Sequence, residues 1–111
     1  MCNHIFADST RERFKRRGNF QCVYCLDDLT KQPERQSLDH VIPQHKGGSN
    51  QPNNVVLCCI SCNSRKNGKS LKQFGYYMEI KIHGYDRLAM HRRVRNQLRR
   101  KMPVLEQGWN D

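Results

Sequence analysis

The residues with the most chemistry to offer lie between Cys22 and Lys66. Two cysteine pairs, Cys22-Val23-Tyr24-Cys25 and Cys59-Ile60-Ser61-Cys62, each leave two residues between thiols. That spacing lets both sulfurs of a pair reach one tetrahedral ion from a tight turn. Cys58 offers a competing register with Cys62, and the two-residue spacing favours Cys59. Between the pairs stands Asp39-His40, then Asn54, and directly after the last cysteine comes Asn63. An uncharged histidine can take a proton from water near neutral pH. Carboxylate and amide oxygens are hard ligands that suit Mg²⁺ or Mn²⁺. Cutting a phosphodiester needs an activated nucleophile, charge neutralisation at phosphorus and a stabilised leaving oxygen. His45 is a fallback base, and Asn53 could replace Asn54 by a one-residue slip.

These residues must be positioned by a small number of elements. Ser37–Ile42 reads as a short strand closed by Pro43, and Val55–Cys58 as its return, with Gly47-Gly48 in the long loop between them. A helix starting near Cys62 would carry Asn63 and Lys66 until Asn67-Gly68 bends it. Ser9 and Glu12 have the spacing of a capping box, which predicts a basic helix from Arg11 to Arg17 stopped by Gly18. Asp27 and Asp28 read as turn residues or arginine partners. Ser70 is placed to cap a further helical turn through Phe74. From Phe74 to His83 the pattern is ambiguous: Tyr76, Met78, Ile80 and Ile82 alternate with more polar residues, a strand-like period, and a helix is open for part of it. Tyr85–Met102 reads as a basic helix with a thin apolar stripe of Leu88, Val94, Leu98 and Met102. Tyr76, Tyr77 and Trp109 are read as packing residues, and Cys2, Cys58, His4, His83 and His91 take no part in the chemistry.

Composition narrows the class. The chain has 111 residues, of which 36% are hydrophobic, and a formal net charge of +10. Mean hydropathy is -0.92. A core this sparse often needs a staple. No export signal is visible at Met1–Ala7, which predicts a reducing cytoplasm and favours zinc over disulfides. No apolar run is long enough to span a bilayer. The charge suits a polyanion, and Arg92, Arg95 and Arg99 on the last helix are candidate phosphate contacts.

Asp39-His40-Val41-Ile42-Pro43, Gly47-Gly48, Asn54-Val55-Val56-Leu57-Cys58-Cys59 and Cys62-Asn63 with Lys66 together resemble the HNH endonuclease family, in the branch that carries two cysteine knuckles. The resemblance covers Phe20 to about Gly68. It implies an α+β fold: a small ββα-metal (His-Me finger) core stapled by a four-cysteine zinc site, with flanking basic helices. It implies that His40 is the general base and that Asn54 braces the loop that orients it. Asp39 and Asn63 become ligands of a catalytic Mg²⁺ or Mn²⁺; asparagine stands at 63 where the family usually has histidine. Cys22, Cys25, Cys59 and Cys62 become the structural zinc ligands. Apart from the resemblance, Arg65, Lys66 and Lys69 are further candidate phosphate contacts by their charge.

The expected division is a basic helix in 1–19, a nuclease core in 20–72 and a DNA-contacting basic extension in 73–111. The expected activity is nicking or cleavage of DNA, with a double-stranded substrate, leaving 5′-phosphate and 3′-hydroxyl ends. The setting would be the cytoplasm of a prokaryotic or phage-infected cell, the protein a monomer or dimer with other DNA-processing partners. The rival reading is a non-catalytic zinc-stabilised DNA-binding module. One difficulty faces either: adjacent strand residues point to opposite faces, so Asp39 and His40 share a site only where the strand twists or bulges.

Overall fold

A computed structural model describes residues 5–105; Cys2, His4 and Trp109 lie outside them. The centre is one antiparallel hairpin. Strand β1 (Gln36–His40) pairs with β2 (Val55–Cys59) in the register Gln36↔Cys59, Leu38↔Leu57, His40↔Val55. All ten residues are buried. That explains the continuous apolar run of β2, and it makes the polar members of β1, Gln36, Ser37, Asp39 and His40, unusual.

A lone two-stranded sheet is marginal in water, so its outer edge needs partners. The edge of β2 is closed by three different elements. Val23 N–H donates to Leu57 O (3.1 Å), Gln97 Oε1 accepts from Leu57 N–H (2.9 Å), and Arg17 Nη2 donates to Val55 O (2.5 Å).

Helix α1 (Asp8–Arg17) begins one turn earlier than the capping-box spacing implied. Ala7 is the N-cap, with no side-chain cap. Glu12 does not reach back to an N-terminal amide; it accepts from Arg16 Nε at 2.9 Å, an i,i+4 pair on the helix surface. Gly18 ends the helix where there is no room for a side chain: a Cβ there would lie 2.8 Å from Leu57 Cβ.

Helix α2 (Ile60–Lys66) is capped by Cys59, whose sulfur accepts from Cys62 N–H, and it ends at Asn67 in the left-handed region (φ 40°). It packs against both strands, completing β-β-α. Helix α3 (Leu71–Lys81) starts with a full capping box, Ser70 with Gln73.

Of the two readings open over Phe74–His83, the strand-like one is therefore overturned and the helix holds as far as Lys81. The strand-like alternation put Ile80 inside, yet Ile80 is 82% exposed, while Phe74 and Met78, four apart, are fully buried. The cap and that i,i+4 pair outweigh the period-two pattern. Helix α4 (Arg87–Arg99) is capped by Asp86 and crosses α3 at Gly75, where a Cβ would sit 3.2 Å from His91 Nε2. Its inward residues are Met90, Val94 and Gln97; Leu88, expected in the stripe, is exposed. Phe14, Tyr24, Leu38, Leu57, Phe74, Met78, Met90 and Val94 belong to one core, which draws on α1, the first knuckle, the hairpin, α3 and α4.

Candidate active site and metal centre

Two regions carry chemistry, one built on sulfur and one on oxygen and nitrogen. The sulfur region unites Cys22, Cys25, Cys59 and Cys62, whose Sγ atoms all lie within 4.8 Å of one another. Each knuckle is shaped by a backbone amide donating to its own first sulfur: Cys25 N–H to Cys22 Sγ at 3.4 Å and Cys62 N–H to Cys59 Sγ at 3.3 Å.

A tetrahedral zinc with sulfurs at about 2.3 Å places neighbouring sulfurs about 3.8 Å apart. Cys25 Sγ and Cys59 Sγ are 3.9 Å apart. The protonation pattern is divided. Hydrogen bonds from the Cys22 thiol pull the Cys25 and Cys59 thiols down, and donating those bonds pushes Cys22 up. Four thiolates this close repel one another unless a cation joins them, so the donor set fits a metal ion such as zinc. Cys58 lies outside the cluster, and burial pushes its thiol up.

The second region is an open cleft of about 490 Å³, lined by Asp39, His40, His45, Asn63 and Lys66 among others. Asp39 and His40 do share it. β1 ends at His40, and the buried Lys66 ammonium donates to His40 O (3.0 Å) and Val41 O (3.1 Å) while pairing with Asp39 Oδ2 (3.1 Å). Successive carbonyls of an extended strand point to opposite sides. Two on one ammonium mean that the backbone has left strand geometry there. Lys66 thereby corrects the expectation of a phosphate contact: it is 1% exposed and its charge is turned into the protein.

Asp39 Oδ2 has a second partner, the buried Tyr24 hydroxyl at 2.6 Å. Burial, then the charge of Asp39, pushes the Tyr24 phenol up, so it stays a donor. Asn63 commits its amide nitrogen to β1, donating to Ser37 Oγ (2.7 Å) and Leu38 O (3.4 Å). Its amide oxygen takes no part in those two bonds.

Asn54 is buried, whereas Asn53 is exposed. The Asn54 amide extends the hairpin by one rung: Oδ1 accepts from Ile42 N–H (2.8 Å), and Nδ2 donates to Ile42 O (3.0 Å) and Ser49 O (2.8 Å). Gly48 allows this, because a Cβ there would overlap Ile42 O at 1.6 Å; Gly47 supplies the positive φ of 92°. His40 is 3% exposed, its Nε2 lies 2.6 Å from Asn50 Oδ1, and the Phe6 ring stacks beside it at 6.3 Å.

The other expected contacts are dispersed. Arg65 is exposed on α2. Lys69 Nζ donates to Arg65 O and sits 4.6 Å over the Tyr77 ring. Arg92 and Arg95 are exposed along a groove between α3 and α4, and Arg99 is exposed at the end of α4. Arg93 instead faces inward, donating to Val23 O (2.9 Å) and Tyr24 O (3.1 Å). Tyr85 also donates to Tyr24 O, at 2.6 Å, so the first knuckle is buttressed from behind. Asp27 pairs with Arg35 and Asp28 accepts from Thr30, as turn residues do. Sequence reasoning assigned no role to Tyr24, Asn50 or Gln97. Tyr24 passed for a knuckle spacer, and the only signal at Asn50 was its place beside Gly47-Gly48-Ser49.

A buried hairpin closed by one helix, with a four-cysteine cluster at its base and an oxygen-lined cleft beside it, defines the ββα-metal class of fold. A family model described as HNH endonuclease matches residues 22–77, from the first knuckle into α3, and the chain belongs to that family. Comparison with curated proteins finds no match. Membership associates the chain with nuclease-type function and a nucleic-acid substrate. Among the described residues no helix is long and apolar enough to cross a membrane.

Proposed function

We propose that this protein is a metal-dependent endonuclease that hydrolyses DNA phosphodiester bonds, with His40 as general base. The observation that carries the reading is that Asp39, His40 and Asn63 line one cleft although they come from two elements. His40 takes the proton of the attacking water. Asn54 fixes the loop beside it through the Ile42 and Ser49 contacts. Asp39 and Asn63 would hold Mg²⁺ or Mn²⁺, which supplies charge neutralisation at the scissile phosphate and the departing oxygen. One carboxylate and one amide are a sparse set, so that ion binds weakly until DNA adds phosphate oxygens. Zinc on Cys22, Cys25, Cys59 and Cys62 serves the fold. Arg65, Lys69, Arg92, Arg95 and Arg99 carry the duplex, with the 73–111 extension supplying most of that contact.

The test is supercoiled-plasmid nicking by zinc-loaded protein with Mg²⁺ or Mn²⁺, followed by end analysis. Nicks with 5′-phosphate and 3′-hydroxyl ends are expected, and only with the added ion. Salt-sensitive DNA binding with no cutting under any divalent ion would leave a binding module in its place.

A further inference from the structure

Two adjacent tyrosines of α3, both expected to pack, part company in the structure. Tyr77 stacks on Phe74 with ring centroids 6.0 Å apart. Tyr76 is 45% exposed. The Arg87 guanidinium lies over its ring, with Cζ 4.4 Å from the centroid, and Arg87 Nε in turn donates to Glu79 Oε1 at 3.1 Å. This fixed stack stands in the groove between α3 and α4, a hollow of about 510 Å³. Leu88 adds an apolar wall, and Lys72, Arg92 and Arg95 are exposed along the rim. Among the described residues no acid lines it. Burial, then Arg87 and Arg95, pushes the His91 imidazole down, the second effect marking positive charge that no acid in the groove offsets.

We propose that this groove binds unpaired nucleotides of a DNA strand, with a base on the Tyr76–Arg87 stack and phosphates on Lys72, Arg92 and Arg95. Aromatic rings and guanidinium planes are the platforms on which splayed bases stack. A duplex keeps its bases inside and would meet the cationic rim alone, leaving the ring and Leu88 without a partner. The volume falls within the roughly 300–1,000 Å³ of sites that hold a small organic ligand, the scale of nucleotides taken singly. An acidic peptide would match the charge and make no use of the flat stack.

The groove adjoins the cleft. Gly68 lines the cleft and Lys72 lines the groove, and four residues span at most about 14 Å. Lys46 Nζ also donates to Gln73 Oε1 at 3.1 Å, which ties the loop carrying His45 to the first turn of α3. One strand can therefore run from the cleft into the groove, and the substrate class this defines is a duplex with an unpaired stretch beside it. The inference rests on the reading of DNA as the substrate and not on the role of His40.

The test is fluorescence anisotropy of the zinc-loaded full chain with a blunt duplex and with the same duplex carrying an oligothymidine overhang. Wild type should bind the overhang substrate more tightly. Tyr76→Leu should weaken that binding by about 5–150-fold, the range for losing one stacked base, with blunt-duplex affinity and melting temperature unchanged. Tyr76→Phe keeps the ring and should keep the gain. No gain from the overhang in wild type, or an equal loss on both substrates in Tyr76→Leu, would overturn the proposal. Binding of polyglutamate that Tyr76→Leu abolishes, with no overhang gain, would overturn it in favour of an acidic protein partner. An overhang gain lost in Tyr76→Leu, in a protein that nicks nothing, would uphold the groove and sink the nuclease reading alone.

Discussion

In the sulfur cluster, four like donors lie within 4.8 Å of one another, and each knuckle is closed by its own N–H···S bond. In the cleft, one carboxylate and one amide come from two elements, and Asp39 Oδ2 already receives both Tyr24 and Lys66. The first is a complete ligand set that needs nothing from outside. The second is a ligand set only on the function proposed above, and as such it is incomplete, open to solvent, and held in shape by buried polar contacts. A complete set keeps a fold together; an incomplete one leaves coordination positions for a substrate. Tyr24 joins them. It sits between two cysteines of the cluster and donates to the carboxylate of the other site.

The largest effect should follow from breaking the complete set. Cys59→Ser, or zinc removal by a strong chelator, should unfold the domain, because structural zinc supplies roughly 10–16 kcal/mol of apparent binding energy in small domains. Circular dichroism melts with zinc quantitation check this; a cooperative melt with full zinc content in the variant would erase the contrast.

Next comes the shape of the incomplete set. Lys66→Met leaves Asp39 short of its cation and two carbonyls without a donor, and breaking a buried pair costs about 3–5 kcal/mol. Denaturant unfolding should show that loss at unchanged zinc content.

Tyr24→Phe tests the link. Losing a hydrogen bond to a charged group costs about 1.5–3 kcal/mol, and Lys66 remains, so the low end is expected. Nicking should fall while zinc stays bound; zinc loss at equal stability would mean that Tyr24 serves the knuckle alone. The smallest effect lies farthest out: Arg92→Ala with Arg95→Ala should lower the salt dependence of duplex binding by about two units of slope, with the melt unmoved.

Much of this was readable from the chain because it is local. The knuckles are short spacings, and Asp39, His40, Asn54 and Asn63 stand in a pattern of fixed order. Gly47 and Gly48 were readable as a turn, although only Gly47 uses positive φ and Gly48 answers a steric demand from Ile42. What failed was decided at a distance. Lys66 looked like a surface cation because its acceptors are 25 and 26 residues away. Gln97 looked inert because the amide it satisfies is 40 residues away. Phe74–His83 read ambiguously, with a strand-like period, because the residues that bury Phe74 and Met78 lie in other elements.

The measurement that bears most directly on the central claim is the Mg²⁺-dependent nicking rate of His40→Ala beside wild type, at matched zinc content and melting temperature. A general base at His40 predicts a loss on the order of 10²–10⁴-fold with the fold intact. Equal rates for the two proteins would contradict it.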